Sequence, residues 1–133
     1  MLKKTITYID YDDNKRSEDH YFNLSKTEIV EMELGVTGGM RKMIEKIIAE
    51  QDNKRIMDIF KDIIMRSYGE KSPDGKRFIK SKEITEAFMQ TEAYTELFME
   101  LATDADAAAA FCNGIIPQKM MEEARMPVAN SVM

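Results

Sequence analysis

The feature that most constrains this chain is a change of hydrophobic period near residue 25. Before it, Thr5-Ile6-Thr7-Tyr8-Ile9 is dense in β-branched and aromatic residues, which suit a pleated, half-buried surface. His20, Phe22 and Leu24 then alternate with Asp19, Tyr21 and Asn23, the two-residue period of a strand with one buried face. The polar stretch from Asp10 to Lys15 reads as the turn between them. Residues 1–24 therefore predict a β-hairpin. Two strands alone are marginal in water, so this ribbon has to lean on helices or on another chain.

After residue 25 the period becomes helical. Ser25-Lys26-Thr27-Glu28 is a capping box, in which the serine oxygen accepts from the amide three residues on and the glutamate reaches back. It predicts a short helix to Leu34, stopped by Gly35. Met40, Met43, Ile44, Ile47 and Ile48 follow the spacing of an amphipathic helix. Asp52 is placed to cap a third helix with a buried stripe of Ile56, Phe60, Ile63 and Ile64, flanked by Ile59 and Tyr68 and ended by Gly69. Ser72-Pro73-Asp74-Gly75 has the proline and glycine positions of a type I turn, and Phe78-Ile79 reads as a short extended segment. Ser81, Thr91 and Asp104 each stand where a helix N-cap is expected. The helices they open carry Ile84, Ala87 and Phe88, then Tyr94, Leu97, Phe98 and Leu101, then Ala107 to Ala110 with Phe111. Gly114 is expected to close the last of these, and Pro117 to open a final helix from Gln118 to Arg125.

The expected fold class is thus α+β, mainly α: an N-terminal β-hairpin (1–24) followed by a compact bundle of about six short helices (25–125). The whole is expected to form a single domain over 1–125, with 126–133 a flexible C-terminal tail. A chain of 133 residues is long enough to bury a core without staples.

Composition narrows the function. The net charge is −5, which argues against a nucleic-acid partner, because that affinity comes from Lys and Arg on phosphates. It also argues against adsorption to an anionic membrane. No apolar run approaches the roughly 18 residues a bilayer span requires. Past the basic start Met1-Leu2-Lys3-Lys4, the polar Thr5, Thr7 and Asp10 break up the apolar stretch a signal peptide needs. A cytoplasmic protein is expected. The single Cys112 fits a reducing compartment. Methionine is abundant at 12 residues. Met43, Met57, Met65 and Met99 read as core filler. Met120, Met121 and Met126 have little apolar sequence nearby and are the candidate partner-binding residues.

No chemical motif is complete. Asp10-x-Asp12-x-Asn14 opens like a calcium loop, but Lys15 and Tyr21 stand where glycine and a bidentate glutamate are needed. His20 is the only histidine, too few for a zinc site, and its strand face predicts a packed ring. Cys112 in an Ala-rich stretch reads as a small buried apolar residue. Gly35-x-x-Gly38-Gly39 lacks the Gly-Lys-Ser/Thr ending of a phosphate loop. Glu31 with Glu33 and Glu122 with Glu123 read as solvated charge. No catalytic, cofactor or metal residues are expected.

The ordered small patterns resemble a known family. They run from Lys3-Lys4-Thr5-Ile6-Thr7-Tyr8 and Phe22-Asn23-Leu24-Ser25-Lys26 to Tyr68-Gly69-Glu70-Lys71-Ser72-Pro73-Asp74-Gly75 and Arg77-Phe78-Ile79-Lys80. They continue through Phe88, Gln90-Thr91-Glu92-Ala93-Tyr94, Leu97-Phe98-Met99, Leu101, Asp104, Phe111 and Asn113-Gly114-Ile115-Ile116-Pro117. Over about Leu2 to Glu123 the chain resembles the tail assembly chaperones of siphophages and prophages of Gram-positive bacteria. The resemblance implies a non-enzymatic protein that binds the tape measure protein and keeps it soluble before the tail tube forms around it. It further implies action in the host cytoplasm and absence from the mature virion. A homo-oligomer is expected, because repetition along a long client favours multimers and the exposed hairpin edge can pair with a neighbouring subunit. The family often also makes an extended form by ribosomal frameshifting, which recruits the major tail tube protein. The alternative reading is a structural tail-completion or connector protein of the virion.

Overall fold

A computed structural model describes residues 1–34, 49 and 53–116. The helix expected over Met40 to Ile48 and the one over Gln118 to Arg125 lie outside the described residues, as do Met43, Asp52 and the tail 126–133.

The first hairpin forms as its period predicts. Strand β1 (Leu2–Ile9) pairs antiparallel with β2 (Lys15–Phe22), Leu2 opposite Phe22 and Ile9 opposite Lys15. The tip is a tight loop between Asp10 and Asn14. Asp13 N–H donates to the Asp10 carbonyl, Asp10 N–H donates to the Asn14 carbonyl, and Asp13 takes a φ of 62°. This is a type I turn followed by a left-handed bulge residue, a position aspartate tolerates better than most side chains. Ile6, Tyr8 and Phe22 are buried on one face, while Thr5, Thr7, Ser17 and Asp19 are exposed on the other.

The sheet then grows beyond the hairpin. The sequence places Tyr68 on a helix flank and Gly69 as the helix stop; the structure corrects both. Helix α2 (Asn53–Ser67) ends at Ser67, and β3 (Tyr68–Lys71) begins at once, pairing with β2 through Tyr21–Gly69 and Phe22–Tyr68. Strand β4 (Phe78–Ile79) comes next, and the sheet runs β1-β2-β3-β4, antiparallel throughout. The physical reason is an open backbone edge: β2 offers unpaired groups, and Asn23 N–H already donates to the Ser67 carbonyl at 2.7 Å. Gly69 serves close approach, since a Cβ there would stand 2.6 Å from Phe78 Cε2 and 2.8 Å from the Ile79 carbonyl oxygen.

Helix α1 (Lys26–Leu34) starts at the expected capping box: Glu28 N–H donates to Ser25 Oγ at 3.2 Å, and Ser25 N–H donates to Glu28 Oε1 at 3.0 Å. Helices α3 (Lys82–Met89), α4 (Glu92–Thr103) and α5 (Ala105–Ile115) start at Ser81, Thr91 and Asp104, whose side chains accept the expected amide bonds. That makes five helices among the described residues, in an α+β fold with the expected N-terminal hairpin. Gly114 does not stop α5. It lies within the last turn, where a Cβ would meet Leu2 Cδ1 at 3.0 Å, so its smallness lets α5 approach β1.

The described helices that contact the sheet all cover one face. Helix α4 is the hub, packing on β1, α2, α3 and α5, with Ala93, Leu97 and Leu101 buried. Phe22, Leu24, Ile63, Ile64, Leu97 and Ile115 are almost fully enclosed. A fully buried side chain of this size contributes about 1.5–3 kcal/mol relative to its exposed state. Phe22 stacks edge-on against Tyr68, Phe88 and Phe111 at 5.2 to 5.9 Å, joining both hairpins to α3 and α5. The backbone where β2 exits is also tied down, because Leu24 N–H donates to the Ile115 carbonyl at 2.8 Å. That bond satisfies one of the carbonyls a helix C-terminus leaves open.

Candidate partner-binding surface

The groups that resemble chemistry in the sequence are occupied by structure. Asp10 accepts from the amides of Asp12 and Asn14, both at 2.9 Å, and pairs with the Arg16 guanidinium. Those bonds, led by the one from Arg16, hold its carboxyl below the usual aspartate range. Its oxygens close the hairpin tip. His20 lies between Phe88, with ring centres 5.1 Å apart, and Tyr68 at 6.3 Å. Burial pushes the imidazole below its ordinary pKa, against the pull of Glu18 and Asp19. Its Nε2 is enclosed, 4.0 Å from Glu18 Oε1, with no hydrogen-bond partner. Cys112 packs half-buried against the core, and burial raises its thiol pKa, the reverse of nucleophile activation. Among the described residues no three His, Cys, Asp or Glu side chains converge on one point. No described helix is long and apolar enough to cross a membrane.

The methionines overturn one expectation. Met57, Met65 and Met99 do not fill the core; they are 46 %, 37 % and 52 % exposed. On α2 the buried stripe is Phe60, Ile63, Ile64 and Ser67. Met57 and Met65 lie on another side of that helix, in line with the exposed Lys61. On α4, Met99 stands off the Ala93–Leu97–Leu101 stripe. A helical wheel shows both displacements, so the spacing of each methionine from its neighbours carries the signal. The core itself is aromatic, aliphatic and alanine. Met120, Met121 and Met126 lie outside the described residues.

Beside Met99 runs a groove of about 260 Å³ between β1 and α4, with Lys4, Ile6 and Thr7 on the strand and Glu96, Glu100 and Thr103 on the helix. Along α4, Glu92, Glu96 and Glu100 repeat every fourth residue and so form one row. Tyr11 donates its hydroxyl hydrogen to Glu92 at 2.8 Å, and Lys4 pairs with Glu100. Glu96 has no partner among the described residues. The groove thus holds an apolar, polarizable patch beside a carboxylate that no described residue pairs.

The described residues form a small α+β domain whose Met57, Met65 and Met99 lie outside its core. The chain belongs to the phage tail assembly chaperone family, whose sequence pattern it matches over residues 1–131. No curated protein and no solved structure matches it.

Proposed function

We propose that this chain binds the tape measure protein of a phage tail, keeps it soluble, and helps organise tail tube assembly around it, without catalysis. The observation that carries this reading is membership of the tail assembly chaperone family over nearly the whole chain. The exposed Met57, Met65 and Met99 support it, because flexible thioether surfaces repack against varied apolar helices. The net charge of −5 suits a carrier that must keep an aggregation-prone client dispersed.

On this reading the chain acts in the bacterial host cytoplasm as a homo-oligomer along its client and leaves before the virion is complete. A longer frameshifted product would recruit the major tail tube protein. Met120, Met121 and Met126 contribute to a client or self-association surface. Co-expression with the tape measure protein tests the role: the client becomes soluble and co-purifies with the chain. A client that stays insoluble, in the presence of folded chaperone, overturns it. Mass spectrometry of purified virions separates the two tail roles, since a connector is present in stoichiometric amount and a chaperone is absent.

A further inference from the structure

Among the described residues strand β1 is an edge of the sheet, and its hydrogen-bonding parity is readable. The Asp10–Asn14 bond sets the even residues of β1 facing β2. The Asn23–Ser67 bond independently sets the odd residues of β2 facing β3, which leaves its even ones for β1. Backbone N–H and C=O groups of Lys3, Thr5, Thr7 and Ile9 therefore point away from the sheet, and no backbone group among the described residues meets them. An eight-residue edge without proline or bulge is a template for another strand. The groove holding Met99 and the free Glu96 opens along this same edge.

We propose that the free edge of β1 takes an extended segment of a partner protein as a fifth strand. Its groove-facing side chains would be alternately apolar, against Met99, and basic, against Glu96. Main-chain bonds to Lys3, Thr5, Thr7 and Ile9 supply the affinity, and the groove supplies the selection. A second copy of β1 paired antiparallel does not fit. Helix α4 packs on β1, and antiparallel pairing of two such edges puts both α4 helices on one face, offset by about one strand spacing, 4.8 Å. Packed helices need about 8–10 Å between axes. A lone extended segment brings no such helix. The proposal deepens the binding role above and fails separately from it, since a chaperone that holds its client elsewhere keeps the role and loses the edge.

The test is an NMR titration of the full chain with the octapeptide Thr-Ile-Thr-Lys-Thr-Ile-Thr-Lys. Shifts and slowed amide exchange are expected at Lys3, Thr5, Thr7 and Ile9 and at the Met99 methyl. Thr7→Pro removes an outward N–H that takes no part in the β1–β2 ladder and should weaken binding about tenfold or more. Glu96→Lys should weaken it about threefold, roughly what loss of one exposed ion pair gives. A peptide N-methylated on alternate amides should bind in one methylation frame and fail in the other, which tests strand pairing even where Thr7→Pro disturbs the fold. The proposal is overturned if the shifts map to the Met57–Met65 face, if both methylation frames bind equally, or if the edge amides respond to protein concentration instead of peptide.

Discussion

The two hairpins of this fold are built on opposite terms. The first, β1 and β2, is long, polar on its outer face and open along one edge. Its tip is closed by Asp10, through backbone amides and Arg16, and touches α4 through Tyr11 and Glu92. The second, β3 and β4, is short and locked from several directions. Gly75 N–H donates to the Ser72 carbonyl at 2.9 Å, Ser72 Oγ accepts from Arg77 N–H at 3.0 Å, and Asp74 accepts from Ser72 Oγ at 2.6 Å. Lys80, just beyond β4, reaches Glu28 of α1 at 2.7 Å. The contrast separates a strand that the fold leaves available from a strand pair that holds the sheet to the helices. Two of the patterns that carry the family resemblance, Tyr68 to Gly75 and Arg77 to Lys80, make up the locked hairpin.

The largest expected effect comes from Gly69. A methyl group there meets the Ile79 carbonyl at 2.8 Å as well as the Phe78 ring, and backbone cannot swing aside as a side chain can. Gly69→Ala should cost about 1–3 kcal/mol by overpacking, read as a lower denaturant midpoint with an unchanged slope. If Gly69→Ala is as stable as the parent, the second hairpin is not locked and the contrast collapses. Thr7→Pro on the open edge serves as its partner: it should change stability far less than Gly69→Ala.

The next effect sits on the seam between the hairpins. His20 belongs to β2 but packs on Tyr68 of β3 and Phe88 of α3. Glu18 and Asp19 favour its charged form, Lys4 stands across the ladder from it, and burial outweighs the carboxylates, leaving its pKa below 6.5. The folded chain therefore binds a proton less readily than the unfolded one. Stability is full above about pH 6.5 and falls as pH drops through that value, until the folded-state pKa is passed. Glu28 acts in a lower window. Burial opposes its ionisation, but the bonds from Lys80 and Ser25 together prevail, so its pKa lies below 4.5 and its contribution fades as pH falls below that. Thermal melts of the parent and His20→Gln between pH 7 and 5 should converge toward acid pH, the parent losing more. Parallel curves would mean the imidazole is not held neutral by the seam.

Much of this architecture is legible in the sequence because it is local. Ser25 with Glu28, the Ser72–Gly75 turn, and the caps at Ser81, Thr91 and Asp104 all act within a few residues, so their side-chain chemistry announces them. The burial of Phe22 and Leu24 accords with strand period. The hidden part depends on groups distant in sequence. Tyr68–Lys71 is only four residues long, and its strand character comes from the vacant edge of β2. Gly69 and Gly114 look like helix stops because the chains they admit, Phe78 and Leu2, are invisible to a local pattern. Met57, Met65 and Met99 look like core when hydrophobicity is weighed without angular position. The groove has no local signal at all, since it joins β1 to α4 across some ninety residues, as the Lys4–Glu100 pair does.

The smallest effect belongs to the open hairpin, and its sign is reversed. Asp13 holds a φ of 62° at the bulge position of the tip, where a side chain is tolerated at a cost and glycine adopts the same backbone freely. Asp13 is exposed, and the tip's amide bonds run to Asp10. Replacing Asp13 with glycine relieves the backbone but gives the unfolded chain more freedom, and these oppose one another. Asp13→Gly should therefore raise stability by a few tenths of a kcal/mol, about 0.5 at most, measured by denaturant midpoint. Peptide binding at the β1 edge should stay the same, because the β1–β2 register is set along the whole ladder. A loss of more than about 1 kcal/mol, the size of a real capping bond, would show that the first hairpin too is locked at its tip, and that its openness is confined to the edge.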